Sequence, residues 1–211
     1  MEKLERDGNL IRVSEPISTV LEMTEIQTRL LSEGGPAVLF ENPIGPNGQN
    51  FNIPVLVNLF GTIERVAWAI EREPDTLRDL GKTLAFLRHP QPPDGWKDAI
   101  EMLPLVKSAM TMKPKSVGRA ACQEVYFEGN DVDLTQLPIQ TCWPLEPAPL
   151  ITWPIVVTKD PNNQTGDSYN LGIYRMQVTG PKTTLMRWLK HRGGAQHHSI
   201  QKNKSSQGLP A

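Results

Sequence analysis

The first sixty residues switch from a helical to an extended hydrophobic pattern. Thr19 and Glu22 form a capping-box pattern, and apolar residues follow at helical spacing until the Gly-Gly-Pro breaker at residues 34–36. Two short apolar runs, residues 37–42 and 53–60, flank a loop rich in Pro, Gly and Asn. The pattern therefore predicts one helix followed by two short buried strands around a hairpin loop.

Helical spacing returns over the next fifty residues. One predicted helix begins near Thr62, and a second begins at Asp75, a good N-cap residue, and ends at Pro90. A proline-rich connection follows at residues 89–95, and apolar positions within residues 100–110 predict one more helix. This half of the chain is expected to mix helices with a small sheet.

After a linker-like stretch at residues 112–120, the pattern becomes extended. Turns that contain Asn, Gly and Pro separate the last three of four strand-like runs. The runs are residues 123–129, 150–160, 168–180 and 183–189. They predict an antiparallel meander that begins a barrel or a sandwich, and a short helix is expected within residues 191–211.

The charges are balanced, with 22 Lys and Arg against 23 Asp and Glu in 211 residues and a formal net charge of −1. This balance argues against a nucleic-acid binder that works through a large cationic surface, and it leaves room for a local anion site. The charged N-terminus lacks the apolar segment of a signal peptide. No apolar run approaches the length needed to span a membrane.

The two cysteines, Cys122 and Cys142, share no metal-binding or redox motif, which indicates a reduced, cytosolic setting. Cys142 has no base beside it in the sequence and is expected to be a buried structural thiol. The proline-rich run around it also contains Trp143 and Trp153. Such a run suits a wall beside a flat ligand and packing between two units equally well.

Positive charge is concentrated near the end of the chain, around a pair of glycines. Arginine supplies paired donors to phosphate or carboxylate oxygens, and glycine lets backbone N–H groups approach a ligand closely. The residues are Arg175, Arg187, His191, Arg192, Gly193 and Gly194. Two interpretations stay open at this point: an anion site, or solvated arginines beside a glycine turn.

Strand geometry places a condition on such a site. In a regular strand Ile173 and Arg175 point to one face, whereas Asn170 and Tyr174 point to the other. Asn170 and Arg175 can therefore serve one site only if the strand bends, and Gly172 is the expected place for that bend.

Two pairs of residues admit both a structural and a functional interpretation. Asn170 and His191 are able to supply neutral O and N ligands to a divalent cation, although two such ligands do not hold a metal without carboxylate or cofactor oxygens. Hydrogen bonds within a turn or strand explain this pair equally simply. His197 and His198 are expected on the surface of a polar helix.

Longer segments of the sequence resemble one known family. The segments are GGPAVLFENP, VLVNLFGT, GKTLAFLRHPQPP, DVDLTQLPIQTCWP, APLITWP, NLGIYRMQ and MRWLKHRGGA, and they occur in family order over almost the entire chain. The chain resembles the UbiD family of reversible decarboxylases of aromatic and α,β-unsaturated acids, which use prenylated FMN. Within that family it looks most like the 3-polyprenyl-4-hydroxybenzoate decarboxylases of ubiquinone biosynthesis.

The resemblance implies an α+β fold class. Residues 1–113 would form an N-terminal α+β domain, and residues 114–211 would form the first strands of a flavin-binding-like split β-barrel. The implied cofactors are prenylated FMN and Mn2+ or another divalent cation. Asn170 matches a metal ligand and His191 a metal-proximal position, and Arg175 matches the catalytic arginine beside the substrate carboxylate. The matching cofactor-contact positions are Ile173, Tyr174, Arg175, Arg187, Trp188, Leu189, Arg192 and Gly193.

The activity implied by the resemblance is the decarboxylation of 3-polyprenyl-4-hydroxybenzoate by a carboxy-lyase. In the family the prenylated ring accepts electrons as CO2 leaves, and an arginine such as Arg175 orients the acid. Family members continue past residue 211 with a metal-binding Glu and a proton-donating carboxylate. The chain alone is therefore expected to be an inactive N-terminal portion. A cytoplasmic homo-oligomer is expected at full length, and peripheral contact with the inner membrane stays open.

Three alternatives stand beside this interpretation. One is a UbiD-like decarboxylase of a different aromatic or unsaturated acid. Another is a non-catalytic piece that assembles with a complementary chain. The third is an ordinary split-barrel oxidoreductase that uses plain FMN, which mass spectrometry of the bound flavin would distinguish.

Overall fold

The computed structural model describes residues 1–88, 95–96, 100, 102–105, 107, 117–163 and 168–204. The chain divides into two compact units, one made of Met1–Gly61 with Asn130–Ala211 and one made of Thr62–Gly129. Helices and sheets are mixed in it, which confirms the predicted α+β class. The predicted domain boundary between residues 113 and 114 lies outside the described residues and stays a prediction.

The N-terminal part of the first unit is built on a three-stranded sheet. Its elements are α1 (Glu2–Arg6), β1 (Leu10–Val13), β2 (Ile17–Ser18), α2 (Glu22–Ser32), β3 (Ala37–Phe40), β4 (Pro43–Ile44) and β5 (Val55–Val57). The sheet has the order β1-β3-β5, in which β3 pairs parallel with β1 and antiparallel with β5. The predicted pair of strands, β3 and β5, is thus confirmed.

Every residue of β3 is buried, because the two faces of this central strand contribute to two different hydrophobic clusters. Ala37 and Leu39 pack with Leu4 of α1 on one face. Val38 and Phe40 pack with a second cluster on the other face, where α2 contributes its buried methionine. The short apolar run in the sequence therefore becomes the core of this sheet.

Helix α2 is confirmed, but the capping box predicted for it is wrong. The N-cap residue is Leu21, at φ +64°, and its N–H donates to the carbonyl oxygen of Thr141 at 2.9 Å. The Glu22 carboxylate accepts from the backbone N–H of Ser18 at 2.7 Å, and Thr19 is fully buried. Pairing with the distant segment around Thr141 therefore sets the start of α2, in place of a local side-chain cap.

The second unit contains helices α3 (Ile63–Ala69) and α4 (Leu77–Arg88). Helix α3 begins directly after Thr62, as predicted, and Thr62 Oγ1 caps it by accepting from the N–H of Arg65 at 3.3 Å. Asp75 lies in a 3-10 turn that leads into α4 and does not cap that helix. The end predicted for it at Pro90, the proline-rich connection and most of the helix predicted within residues 100–110 lie outside the described residues.

The strand predicted at residues 123–129 is wrong. A 3-10 turn covers Ala121–Gln123, another covers Gly129–Asp131, and residues 124–128 between them are irregular. No described strand pairs with it, and the side chains of Val125, Tyr126 and Phe127 are exposed. Without a pairing partner an isolated extended run has no reason to form a ladder.

The C-terminal part of the first unit consists of short antiparallel strands and one helix. They are β6 (Leu150–Ile151), β7 (Ile155–Lys159), β8 (Tyr169–Ile173), β9 (Met176–Gly180), β10 (Thr183–Met186) and α5 (Gly193–Lys204). β7 pairs with β8, β9 lies between β10 and β6, and α5 packs on β7 and β8. The antiparallel pairing and the last helix are confirmed, but the predicted single meander is wrong, because the strands form two separate sheets. The described strands do not close into a barrel.

Candidate functional site

A cavity of about 1180 Å³ opens beside β8, β9 and β10 in the first unit. This volume lies slightly above the range of about 300–1,000 Å³ that is typical of ligand pockets. Ten residues were predicted from the sequence as metal-site, catalytic or cofactor-contact residues. Nine of them line this cavity: Asn170, Ile173, Tyr174, Arg175, Arg187, Leu189, His191, Arg192 and Gly193. The structure thus brings these residues together, while their individual roles stay predictions.

Asn170 and Arg175 reach the same cavity because the strand is interrupted between them. β8 ends at Ile173 and β9 begins at Met176, so Tyr174 and Arg175 connect two strands that belong to different sheets. The bend predicted at Gly172 is wrong, because Gly172 stays in regular register with β7. A Cβ atom at Gly172 would lie 2.4 Å from the Tyr174 ring, so glycine is needed there for close approach.

Arg175 packs its guanidinium on an aromatic ring at the edge of the cavity. The Arg175 Cζ lies 5.8 Å from the centre of the Trp143 ring, within the range of a cation–π contact. Both residues line the cavity and both are exposed. The aromatic wall suggested by the sequence therefore includes Trp143, which holds the cation at the cavity edge.

Trp153, the other tryptophan of the proline-rich run around Cys142, does not line this cavity. Trp153 stacks on Phe60, with ring centres 5.7 Å apart, beside a second cavity of about 540 Å³. Cys142 lines this second cavity too, and burial is the main cause that raises the pKa of its thiol. A raised pKa lowers the thiolate fraction, which agrees with a structural cysteine, although Cys142 is half-buried and not fully enclosed.

Trp188 is the one predicted cofactor-contact residue that does not line the cavity. Its ring packs edge-on against Tyr174, at 6.0 Å between centres, and against His198, at 5.4 Å. It therefore supports Tyr174 from behind the cavity wall. The prediction that His198 is a surface residue holds in part, since the residue is exposed while its ring contacts Trp188.

The N-terminus of α5 borders the cavity. Gly193 is the first residue of the helix and lines the cavity, and the N–H of Gly194 donates to the Tyr174 hydroxyl oxygen at 3.0 Å. The first turn of a helix carries unpaired N–H groups and partial positive charge. Together with Arg175, Arg187 and Arg192, this helix end makes the cavity wall electropositive, with Glu146 as a carboxylate in the lining.

Asn170 presents one polar atom toward this wall. Its Nδ2 donates to Thr158 Oγ1 at 3.4 Å and to the Tyr174 hydroxyl at 3.2 Å. A Cβ atom at Gly193 would lie 2.2 Å from Asn170 Oδ1, so the carbonyl oxygen occupies the space that glycine leaves. The amide oxygen is the atom that a divalent cation would bind.

Three arginines, a helix N-terminus and a free amide oxygen fit the phosphate end of a nucleotide with an associated cation. Among the described residues, no group of three or more His, Cys, Asp or Glu side chains is arranged to hold a metal ion. A cation at Asn170 would therefore need oxygen ligands from the bound nucleotide or from other residues.

His197 lies differently from the prediction. It is half-buried in α5, and its Nδ1 lies 3.0 Å from Thr158 Oγ1. Thr158 is directly opposite Asn170 in the β7–β8 ladder. Sequence reasoning missed this threonine, because only the strand register places it beside Asn170.

Two domain models of one family match this chain. The 3-octaprenyl-4-hydroxybenzoate carboxy-lyase N-terminal domain matches residues 1–84, and the Rift-related domain of the same carboxy-lyase matches residues 114–211. Together they cover most of the chain. Both models describe domains of one carboxy-lyase family. The chain belongs to the UbiD family, which confirms the predicted family.

Solved structures agree on the fold. The UbiD-class enzyme HmfF from Pelotomaculum thermopropionicum, in complex with prFMN, matches at 24% identity with a TM-score of 0.71. Vanillic acid decarboxylase from Sedimentibacter hydroxybenzoicus matches at 22% identity with a TM-score of 0.73. The 3,4-dihydroxybenzoic acid decarboxylase from Klebsiella pneumoniae matches at 20% identity with a TM-score of 0.67.

The three alignments cover 95–96% of this chain and 38–40% of those chains. The chain thus spans about two fifths of the length of these solved structures. Within the part of the chain that the structure describes, no helix combines the length and apolar character that a membrane crossing requires.

Proposed function

We propose that this chain carries the prenylated-FMN-binding part of an aromatic-acid decarboxylase. The observation behind this proposal is that Arg175, Arg187, Arg192 and Asn170 line one cavity beside the first turn of α5. The HmfF structure with prFMN and the family match favour a flavin over other nucleotides. Asn170 Oδ1 would be a protein ligand of a divalent cation, with Mn2+ as the candidate, and the charge of that cation would help to neutralise the flavin phosphate.

Different residues of this chain would bind the phosphate, the flavin ring and the substrate. Arg187 and Arg192 would neutralise the phosphate, and N–H groups at the start of α5 other than that of Gly194 would donate to its oxygens. Ile173 and Leu189 offer exposed apolar surface for the flavin ring. When bound, the prenylated flavin supplies the electron sink for decarboxylation.

Arg175 is the candidate for holding the substrate carboxylate. Its guanidinium lies on Trp143 at the cavity edge, where it can pair with an acid that enters beside the flavin. The Trp143 face orients the guanidinium plane, and oriented donors lower the entropic cost of placing the acid. In this proposal Arg175 binds and orients the acid, and no proton transfer is assigned to it.

The finer substrate assignment is 3-polyprenyl-4-hydroxybenzoate, as in ubiquinone biosynthesis. The family-model description supports it, because it names 3-octaprenyl-4-hydroxybenzoate carboxy-lyase. The solved vanillic acid and 3,4-dihydroxybenzoic acid decarboxylases are named for smaller aromatic acids. A homo-oligomer and contact with the inner membrane stay predictions.

Flavin binding by the purified chain tests the proposal. The chain is titrated with FMN in the presence of Mn2+, and binding is followed by quenching of flavin fluorescence. One equivalent should bind, and both Arg187→Ala and Arg192→Ala should weaken it. Arg29→Ala is the matched control, because Arg29 is an exposed arginine of α2 paired with Glu25 away from the cavity. Absence of FMN binding, or equal losses in all three variants, would overturn the assignment.

A second measurement tests the substrate class. The flavin-loaded chain is titrated by calorimetry with 4-hydroxybenzoate, its 3-prenylated derivative and acetate. The aromatic acids should bind and acetate should not, and Arg175→Ala should abolish the difference. Tighter binding of the prenylated acid would support the finer assignment, whereas binding of the smaller acid alone would count against it. Mass spectrometry of the flavin that copurifies from cells able to make prenylated FMN distinguishes the prenylated from the plain form.

A further inference from the structure

Four side chains and one backbone N–H form a continuous hydrogen-bonded chain behind the cavity wall. It runs from His197 Nδ1 to Thr158 Oγ1 at 3.0 Å, and from Thr158 Oγ1 to Asn170 Nδ2 at 3.4 Å. It continues from Asn170 Nδ2 to the Tyr174 hydroxyl at 3.2 Å, which also accepts the N–H of Gly194 at 3.0 Å. The chain links β7, β8, the β8–β9 connection and α5.

The bonds in this chain, together with the donors that line the cavity, set the orientation of the Asn170 amide. A side-chain amide has two hydrogens on nitrogen and a carbonyl oxygen that only accepts. Thr158 and Tyr174 accept the two hydrogens. The oxygen therefore points to the Gly193 side, where the cavity lies. A flipped amide would turn its nitrogen toward a wall of arginines and helix N–H groups, which are all donors.

Each of the two accepting hydroxyls is itself held in place. The Tyr174 side chain is buried, its ring packs on Trp188, and its oxygen is tied to the first turn of α5 through Gly194. Thr158 is half-buried opposite Asn170, and His197 of α5 holds its hydroxyl. A hydroxyl has two acceptor sites and one hydrogen, so Thr158 can accept from Asn170 with either tautomer of His197.

We propose that Thr158, Tyr174 and His197 are positioning residues that hold Asn170 Oδ1 toward the cavity and so set its affinity for a divalent cation. The inference rests on the proposed function, in which that oxygen binds a cation beside the flavin phosphate. Hydrogen bonds that neighbouring residues make to a metal ligand orient that ligand, and their loss typically lowers metal affinity about 10–100-fold. α5 contributes to the cation site through His197 and Gly194.

The first experiment needs no ligand. The side-chain amide resonances of Asn170, assigned by their loss in Asn170→Asp, are recorded by ¹⁵N NMR together with hydrogen exchange. Both amide hydrogens should be protected in the native chain. Thr158→Val and Tyr174→Phe should each remove protection, whereas Thr158→Ser should keep it. The matched controls are Thr184→Val on β10 and Tyr169→Phe on β8, whose side chains make none of these bonds.

The second experiment measures Mn2+ affinity by electron paramagnetic resonance, with FMN bound. Thr158→Val should weaken Mn2+ binding about 10-fold or more, while FMN binding itself falls much less. His197→Ala should have a smaller effect in the same direction, and Thr158→Ser should restore affinity. A native chain that binds neither FMN nor Mn2+ would overturn the proposed function and this inference with it. If the native chain binds FMN and Mn2+, and Thr158→Val and Tyr174→Phe bind Mn2+ with the same affinity, the inference alone is overturned.

Discussion

The guanidinium carbon of Arg175 lies 5.8 Å from the centre of the Trp143 ring, and both side chains border the same cavity. The two residues come from a proline-rich loop and from the break between β8 and β9. An exposed arginine is usually mobile, so this contact gives its cation a preferred place. The cavity edge therefore has a defined donor where an acid can enter.

Removal of this ring should weaken anion binding moderately. An exposed cation–π contact is worth about 0.5–1 kcal/mol, so Trp143→Leu should lower the affinity for a bound anion about two- to fivefold. Trp153→Leu is the matched control, since Trp153 stacks on Phe60 beside the other cavity. Calorimetric titration of the flavin-loaded chain with 4-hydroxybenzoate compares the two. Equal affinities in both variants would show that the Arg175–Trp143 contact has no role in binding.

Gly193 should not tolerate a side chain. Its Cβ atom would lie 2.2 Å from Asn170 Oδ1, and Asn170 cannot withdraw without breaking its bonds to Thr158 and Tyr174. Gly193→Ala should therefore lower Mn2+ affinity in the presence of FMN by about 10-fold or more, as loss of ligand geometry does. Thermal unfolding should change little, because the displaced group borders an open cavity.

Gly81 provides the matched control for that substitution. It lies inside α4, and a Cβ atom there would meet nothing within 4 Å. Gly81→Ala should stabilise the second unit by about 0.5–1 kcal/mol, because alanine loses less backbone entropy in a helix. Urea unfolding measures the gain, and FMN binding should stay as in the native chain. A loss of FMN binding in Gly81→Ala would mean that glycine substitutions act nonspecifically.

Much of the fold followed from the hydrophobic pattern, because α2 and α3 carry apolar residues at helical spacing, and β3, β5 and the late strands fall in short apolar runs between turns. The sequence did not reveal what depends on distant partners. Leu21 begins α2 because Thr141 pairs beside it, and Thr158 contacts Asn170 only through the register of β7 and β8. The run at residues 123–129 has strand-like composition, yet it has no partner strand among the described residues.

The site residues were recognisable from the sequence, but the backbone path that brings them to one cavity was not. Glycine at position 172 suggested a bend, whereas the chain leaves β8 after Ile173 and the glycine admits the Tyr174 ring. Trp188 matched a cofactor-contact position, and it packs behind Tyr174. Period-two geometry describes only the regular part of a strand, so it misplaces side chains at strand ends.

The two cysteines should differ in reactivity. Cys122 is exposed, whereas Cys142 is half-buried with a pKa raised chiefly by burial. Since the thiolate is the reactive form, Cys142 should react more slowly with Ellman's reagent at neutral pH. Cys122→Ser should remove the fast phase, and Cys142→Ser should remove the slow one. A fast phase that survives in Cys122→Ser would contradict the structural assignment of Cys142.

Protonation of Asp133 should make the first unit less stable in acid. Its carboxylate accepts from the hydroxyl of Thr135 at 2.6 Å and from the N–H of the same residue at 2.9 Å. Both bonds lower the pKa of Asp133 from its ordinary value, and the bond from the Thr135 hydroxyl is the larger cause. A lowered pKa in the folded state stabilises the fold above the ordinary aspartate pKa, about 3.9. That stabilisation is lost as the pH falls through the lowered pKa.

Two variants isolate this contribution. Asp133→Asn keeps an acceptor for Thr135 and removes the titration, so its stability relative to the native chain should improve as the medium becomes acidic. Thr135→Val removes the hydroxyl donor, so the pKa of Asp133 should rise and the effect of Asp133→Asn should shrink. Carboxyl NMR titration gives the pKa, and urea midpoints at successive pH values give the stability. An Asp133 that titrates identically in the native chain and in Thr135→Val would mean that the hydroxyl bond does not stabilise the carboxylate.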